Sequence, residues 1–472
     1  MPRVRFARAI AVVLACLAAA VAPASAAAPF TPWCGGADEA AADRQPDAVS
    51  AFQVHVVYVV PSDGTSHFAD RVSAIDTDMA AMDVWWRVQD PARTPRFDLA
   101  SFPGCASTFG QLDVSSVRLA HDSTFYAPIE TRYARIRADL DAAGFVDPDK
   151  KYLVYYDGPV PPGSSVCGQS DTGIVEGGPQ AYSIVYLTGV CAGGLGAGGV
   201  ATVIATHELI HGFNALAFPP PTPGPPHACP GDQGHPCDSP TDILSPSQSA
   251  SATLDALVLD VGRDDYYGHS GSWWDVQDSP FLARLDSADK APPSAPTGLT
   301  VTSRTDTVSL SWQPSTDDVG PIVYRVYRDG ALIGKTSAPH FQDTGIAAGR
   351  THLYEVRAAD TVGFLSTRPR IRFTVGLGIV DEAGTLVRDT VPPPGLESIH
   401  ARATRTSIVL SWRGVSDPGG LRGYRAERNG ALYALVTRPT VSVPRSKAAG
   451  RWTVRAVDRA GNLGDPARIV VR

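Results

Sequence analysis

The chain has 472 residues, and its 41 Lys and Arg against 48 Asp and Glu give a net charge of −7. That balance, with no basic cluster of five or more residues, gives no electrostatic case for nucleic-acid binding. The length is that of about three domains of ordinary size.

Residues 1–28 are expected to be an export signal: Arg3, Arg5 and Arg8 form a basic start, Ala9 to Ala22 is apolar, and Ala24-Ser25-Ala26 offers small residues for cleavage. The apolar run is too short and too rich in Ala for a membrane span, and no later stretch replaces it. A secreted, extracellular protein with no membrane span after signal removal is therefore expected. Of the seven cysteines, Cys16 leaves with the signal, and Cys34, Cys105, Cys167, Cys191, Cys229 and Cys237 remain. An even number in an exported chain favours disulfides over thiol chemistry. Proximity in sequence suggests Cys34 with Cys105, Cys167 with Cys191, and Cys229 with Cys237, although sequence alone leaves the connectivity open.

Between residues 29 and 290 strand-like and helix-like segments alternate. Phe52 to Val60 reads as a strand closed by Pro61, and Phe68 to Val88 as an amphipathic helix through Val72, Ile75, Met79, Met82 and Trp86. A strand at Val114 to Ala120, a charged helix from Tyr133 to Ala143 ended by Gly144, and strands at Tyr152 to Tyr156 and Tyr182 to Leu187 follow. This is an α/β pattern. A glycine-rich stretch, Gly193 to Gly199, then leads through Val200 to Thr206 into His207-Glu208-Leu209-Ile210-His211.

On a helix the two His fall on one face, four positions apart, and can share one zinc ion (Zn2+). Glu208 then points toward the metal's open side, where a general base could take a proton from water. Gly212 and Asn214 suit the helix end, and the β-branched residues before the motif require tertiary packing to hold the helix. A catalytic zinc takes three protein ligands. After Glu208 the next Glu is Glu355, so a downstream Glu ligand is excluded, leaving His227, His235, His269, Asp238, Asp242 and Asp264. The segment Asp264-Asp265-Tyr266-Tyr267-Gly268 could also place a tyrosine hydroxyl near an oxyanion, bind calcium, or make structural hydrogen bonds.

From Pro292 the texture changes to short alternating strands separated by Gly, Pro and Asp, including Val308 to Trp312, Tyr324 to Tyr327 and Tyr354 to Ala358. The pattern recurs: Ile408 to Trp412 repeats the Trp312 strand, Arg428-Asn429-Gly430 echoes Arg328-Asp329-Gly330, and Ala456-Val457-Asp458 echoes Ala358-Ala359-Asp360. Two β-sandwiches are expected, with Trp312 and Trp412 in their cores.

Both copies resemble fibronectin type III domains, with Trp452 in place of the family's late Tyr in the second. In secreted hydrolases such domains space or orient a catalytic unit and sometimes touch a polymer; spacer is the preferred reading. The motif from His207, with His235-Pro236-Cys237-Asp238-Ser239-Pro240-Thr241-Asp242-Ile243-Leu244, resembles metzincin metallopeptidases of the zincin class. Asn214 stands where that family has Gly, Leu244 where it has Met, and a proline-rich insertion lengthens the spacing.

The resemblance implies His235 as third ligand, fixed by a Cys229–Cys237 disulfide; His227 is the second choice. Asp264 is the third, since Asp264 to Gly268 is similar to part of the motif of Asp-ligated zincins. The whole then reads as an α/β (α+β) zincin-like catalytic domain (29–290) followed by two all-β immunoglobulin-like sandwiches (291–376 and 391–472) joined by a linker (377–390). The function implied is a secreted zinc metalloendopeptidase that hydrolyses peptide bonds of protein or peptide substrates with Glu208 as base. The alternatives are an extracellular adhesion or polymer-binding protein with an inactive zincin-like domain, and a zinc hydrolase acting on a non-peptide substrate.

Overall fold

The computed structural model describes residues 42–44, 47–100, 102, 105, 111–161, 166–170, 182–187, 191, 193–196, 198–216, 224–246, 251–304, 307–347, 349–375, 378–379, 392–417, 420–458 and 462–472. The export signal at 1–28 and Cys34 lie outside the described residues.

Gln53–Val60 is the hub of a five-stranded sheet. It pairs in parallel with Val114–Arg118 on one side and with Lys150–Tyr156 on the other. Lys150–Tyr156 pairs in parallel with Tyr182–Tyr186, and the short strand Gly168–Ser170 closes that edge in antiparallel sense. Every residue of the two central strands is buried. Helices cover both faces, and most side chains on either face of the pleat are apolar. Val54, Val56, Tyr58 and Val60 pack with helix α1 (Phe68–Gln89) and helix α3 (Val200–Gly212) on one side. Val57 and Val59, pointing the opposite way, pack with Ile136 and Leu140 of helix α2 (Ile129–Ala142). The α/β alternation therefore gives a three-layer domain. Strand nonetheless dominates the chain, since α1, α2 and α3 are the only helices longer than four residues among the described residues.

Two sandwiches follow. In the first, a sheet of Thr297–Arg304, Thr307–Gln313 and His340–Thr344 faces a sheet ordered Ala331–Thr336, Val323–Arg328, Thr351–Ala359, Arg370–Thr374, Gly378–Ile379. The last pair of residues lies inside the stretch expected to be linker. The second repeats the plan, with Ile399–Ala403, Ser407–Trp412 and Thr440–Pro444 against Ala431–Val436, Leu421–Arg428, Gly450–Asp458 and Ala467–Val471. The internal repeat extends to side-chain geometry: Trp312 meets Tyr324 and Trp412 meets Tyr424 with ring centroids 5.1 and 5.3 Å apart, both at 68°. Both tryptophans are core residues, as expected. Asp329-Gly330 and Asn429-Gly430 all have positive φ, the conformation of a tight two-residue hairpin turn.

The first sandwich packs directly on the α/β domain. Ala359 and Leu365 belong to the same apolar core as the central sheet, and the backbone N–H of Leu365 donates to the Ser50 carbonyl while that of Phe52 donates to Gly363. Asp149, just before Lys150–Tyr156, is buried among three arginines of the sandwich: Arg325 Nε donates to Oδ1 at 3.1 Å, and Arg357 Nη1 and Arg368 Nη2 to Oδ2 at 2.7 and 3.1 Å. Burial alone would raise the Asp149 pKa, but Arg325, Arg368 and Arg357 outweigh it and hold the carboxyl well below its usual range.

Candidate functional site

Helix α3 has a mostly apolar sequence and is buried over nearly its whole length, consistent with the need for tertiary support. It lies against Tyr182–Tyr186, where Ser183 Oγ donates to the Glu208 carbonyl at 2.8 Å. A Cβ on Gly212 would sit 2.6 Å from that hydroxyl, so glycine permits the close approach of helix to strand. At the other end, Asp78 of α1 accepts from the Gly196 backbone N–H and the Thr202 hydroxyl at 2.7 and 2.5 Å. The glycine-rich stretch and the first turn of α3 are thereby anchored to α1.

His207 and His211 project from one face of α3, and His235 reaches them from the strand Asp232–Pro236. His207 Nε2 lies 3.2 Å from both His211 Nε2 and His235 Nε2. Each ring's other nitrogen has an oxygen partner: Nδ1 of His207 faces the Ile243 carbonyl at 2.8 Å, that of His235 the Asp232 carboxylate at 2.9 Å, and that of His211 the Ala215 carbonyl at 3.5 Å. Those acceptors favour the Nδ1–H tautomer, which leaves three Nε2 lone pairs converging on one point with no proton to share. Burial lowers the pKa of His207 to about 4 and that of His211 well below its usual value, with neighbouring imidazoles adding to the effect. Neutral, converging imidazoles are the donor set of a metal centre, and tetrahedral zinc at its usual distance from nitrogen would space such atoms by about 3.3 Å. The residues present therefore fit a zinc ion.

Glu208 is buried beside this group, and burial pushes its carboxyl up to about 8. It is not among the residues whose ligand atoms converge. The edge strand makes room for it: a Cβ on Gly168 would lie 2.5 Å from Cγ and Oε1 of Glu208. Nothing in the sequence around Gly168 marks this role.

Two disulfides lie near the three histidines. The Cys229–Cys237 disulfide closes the hairpin that carries His235, and Cys167–Cys191 braces the neighbouring edge strand. Cys105 is also disulfide-bonded, and Cys34, the partner expected for it, lies outside the described residues. Beneath His207, Asp242 accepts from the Leu244 N–H, the Val261 N–H and the Tyr266 hydroxyl at 2.8 to 2.9 Å. Asp260 in turn accepts from the Tyr266 and Tyr267 N–H groups. Asp242, one of the residues open as a ligand, thus holds the turn that presents the Ile243 carbonyl, and Tyr266 serves that turn. The Tyr267 hydroxyl bonds Asp90.

His227 and Asp264, second and third choices as zinc ligand, lie together with Asp265 in a separate group, His227 Nδ1 being 3.7 Å from Asp264 and 3.2 Å from Asp265. His269 stacks on Trp273.

No family model matches the chain. Exoglucanase B of Cellulomonas fimi is 31% identical over 185 residues, covering 37% of this chain and 16% of that protein. Chitinase Chi52 of Paenibacillus xylanexedens is 51% identical over 79 residues, 16% of this chain and 15% of the relative. Chitinase A1 of Niallia circulans is 30% identical over 200 residues, 41% of this chain and 27% of the relative. The chain thus spans well under a third of the length of each of these relatives.

These relatives overturn the zincin recognition and the metalloendopeptidase function expected from the residues between His207 and Leu244. They are named for glucan and chitin, not for peptide bonds, and a peptide substrate has no support. The physical reason is that two His and a Glu on a helix specify donors for a metal, while the bond acted on is chosen by the surrounding cleft.

Proposed function

We propose that this chain is an exported protein that binds an extracellular polysaccharide through its sandwich domains and carries a zinc ion on His207, His211 and His235. The likeness to exoglucanase and chitinases carries the polysaccharide reading: the shared segments have about the length of one sandwich or of two. The convergence of three Nε2 atoms supports the metal, and the two disulfides support an extracytoplasmic setting. Among the described residues no helix is long and apolar enough to cross a membrane.

The test has two arms. The purified full chain should sediment with insoluble chitin or with an insoluble glucan; protein left in the supernatant with both would end the polysaccharide reading. Metal analysis should find zinc in the wild type and in His227→Ala, and a loss of more than about 100-fold in affinity in His235→Ala. Equal zinc in all three would remove His235 from the site.

A second reading is favoured by Glu208, whose buried carboxyl a purely structural metal would not require: a bond on the bound polysaccharide is hydrolysed at the same centre. Zinc, when bound, would supply Lewis acidity there. Glu208 would take the proton of the attacking water and return it to the leaving group. Release of soluble product by the wild type, and none by Glu208→Gln at unchanged zinc content, is the expected result.

A further inference from the structure

Where the α/β domain passes into the first sandwich, several carboxylates gather. Asp289 ends the N-terminal domain, Asp317 and Asp318 lie in the loop between Thr307–Gln313 and Val323–Arg328, and one carboxylate oxygen of each lies within 4.8 Å of those of the other two. None of the three is in an ion pair among the described residues. Asp289 is 1% exposed; its Oδ1 accepts from the Ala291 N–H at 3.2 Å, but its Oδ2 is buried with no hydrogen-bond partner. A buried carboxylate oxygen without a donor costs several times what a paired one does.

Asp360, in the loop after Thr351–Ala359, repeats the pattern: Oδ1 accepts from the Val362 and Phe364 N–H groups, and Oδ2 is buried and unpartnered. Burial raises its pKa to about 6, with the charges of Asp289 and Asp317 adding to the rise. The nearby Arg96 feels the charge of Asp360, but its guanidinium donates to the carbonyls of Val362, Gly363, Pro280 and Phe52.

We propose that Asp289, Asp317 and Asp318, with Asp360 behind them, bind a calcium ion at this junction. The donors are all hard oxygens at loop positions, the set calcium favours over zinc. The ion ties the end of the α/β domain to two loops of the sandwich and neutralises carboxylates that otherwise repel. The site is independent of the three histidines, so its chemistry does not rest on the zinc centre.

The full chain, stripped of divalent ions on a chelating resin, should bind about one calcium ion by calorimetric titration at a dissociation constant on the order of 0.1–1 mM, the range of extracellular modules. The affinity should fall at least about tenfold in Asp289→Asn or in Asp318→Asn, and stay unchanged in His207→Ala. Asp318 is exposed, so its substitution leaves folding intact. The absence of calcium binding up to about 10 mM in the wild type, or undiminished binding in both Asp variants, would overturn the proposal.

Discussion

A ligand atom is useful to a metal only if something else fixes its direction, and each of the three imidazoles has such a partner: Ile243, Ala215 and Asp232. The same holds for Glu208, whose position depends on a residue that contributes no side chain at all. Gly168→Ala forces a methyl group to 2.5 Å from the Glu208 carboxylate, and one of the two must move. Overpacking of this kind costs about 1–3 kcal/mol. Unfolding by urea should show that loss, while zinc content stays at the wild-type level because the atoms nearest the added methyl belong to Glu208 and not to the three histidines. A variant as stable as the wild type would mean that Glu208 is free to swing away.

At the scale of elements, α3 depends on α1. Asp78 is fully buried and accepts from Gly196, Thr202 and Tyr155. Burial, partly offset by those bonds, raises its pKa from 3.8 to about 7. The folded state therefore holds a proton there that the unfolded chain releases near pH 4. Between those values the native state binds more protons than the unfolded one, so stability falls as pH rises, by up to about 1.4 kcal/mol per pH unit from this group. Asp78→Asn keeps the acceptor and removes the titration. Its stability measured from pH 5 to pH 8 should be flatter than that of the wild type, and parallel profiles would refute the assignment. The helices and strands themselves were largely legible: the apolar spacing of Phe68 to Val88 matches α1, and Gln53–Val60 was visible as an apolar run ended by Pro61. The start of α2 at Ile129 was not, because Pro128 and the charged first turn carry little apolar signal.

In the whole molecule, the first sandwich and the α/β domain form one packed body whose polar centre is Asp149. Removing one partner of a buried charge cluster leaves the others uncompensated and costs about 3–5 kcal/mol. Asp149→Ala would strand Arg325 and Arg357 in a closed interface. Denaturant unfolding should then resolve an early transition for the loosened pair of domains, where the wild type shows joint unfolding of the two. An unchanged midpoint would mean that the interface is held by its apolar contacts alone. Within the body, the first sandwich is fixed against the α/β domain that carries the three histidines, so a polymer held by that sandwich would be held at a set distance from them.

Local order determined much of this protein without help from the fold. A four-residue spacing puts His207 and His211 on one helical face, alternation of apolar residues marks the sandwich strands, and Asp-Gly and Asn-Gly mark their turns. Each of these is a relation between residues close in the chain, which backbone geometry alone can impose. The tertiary structure decided the rest. It chose His235 over His227 and Asp264 as neighbour of the pair, set Gly168 against Glu208, and joined Asp149 to arginines well over a hundred residues away. Those relations depend on which loops the packed sheet brings to one place, and composition and spacing carry no record of that.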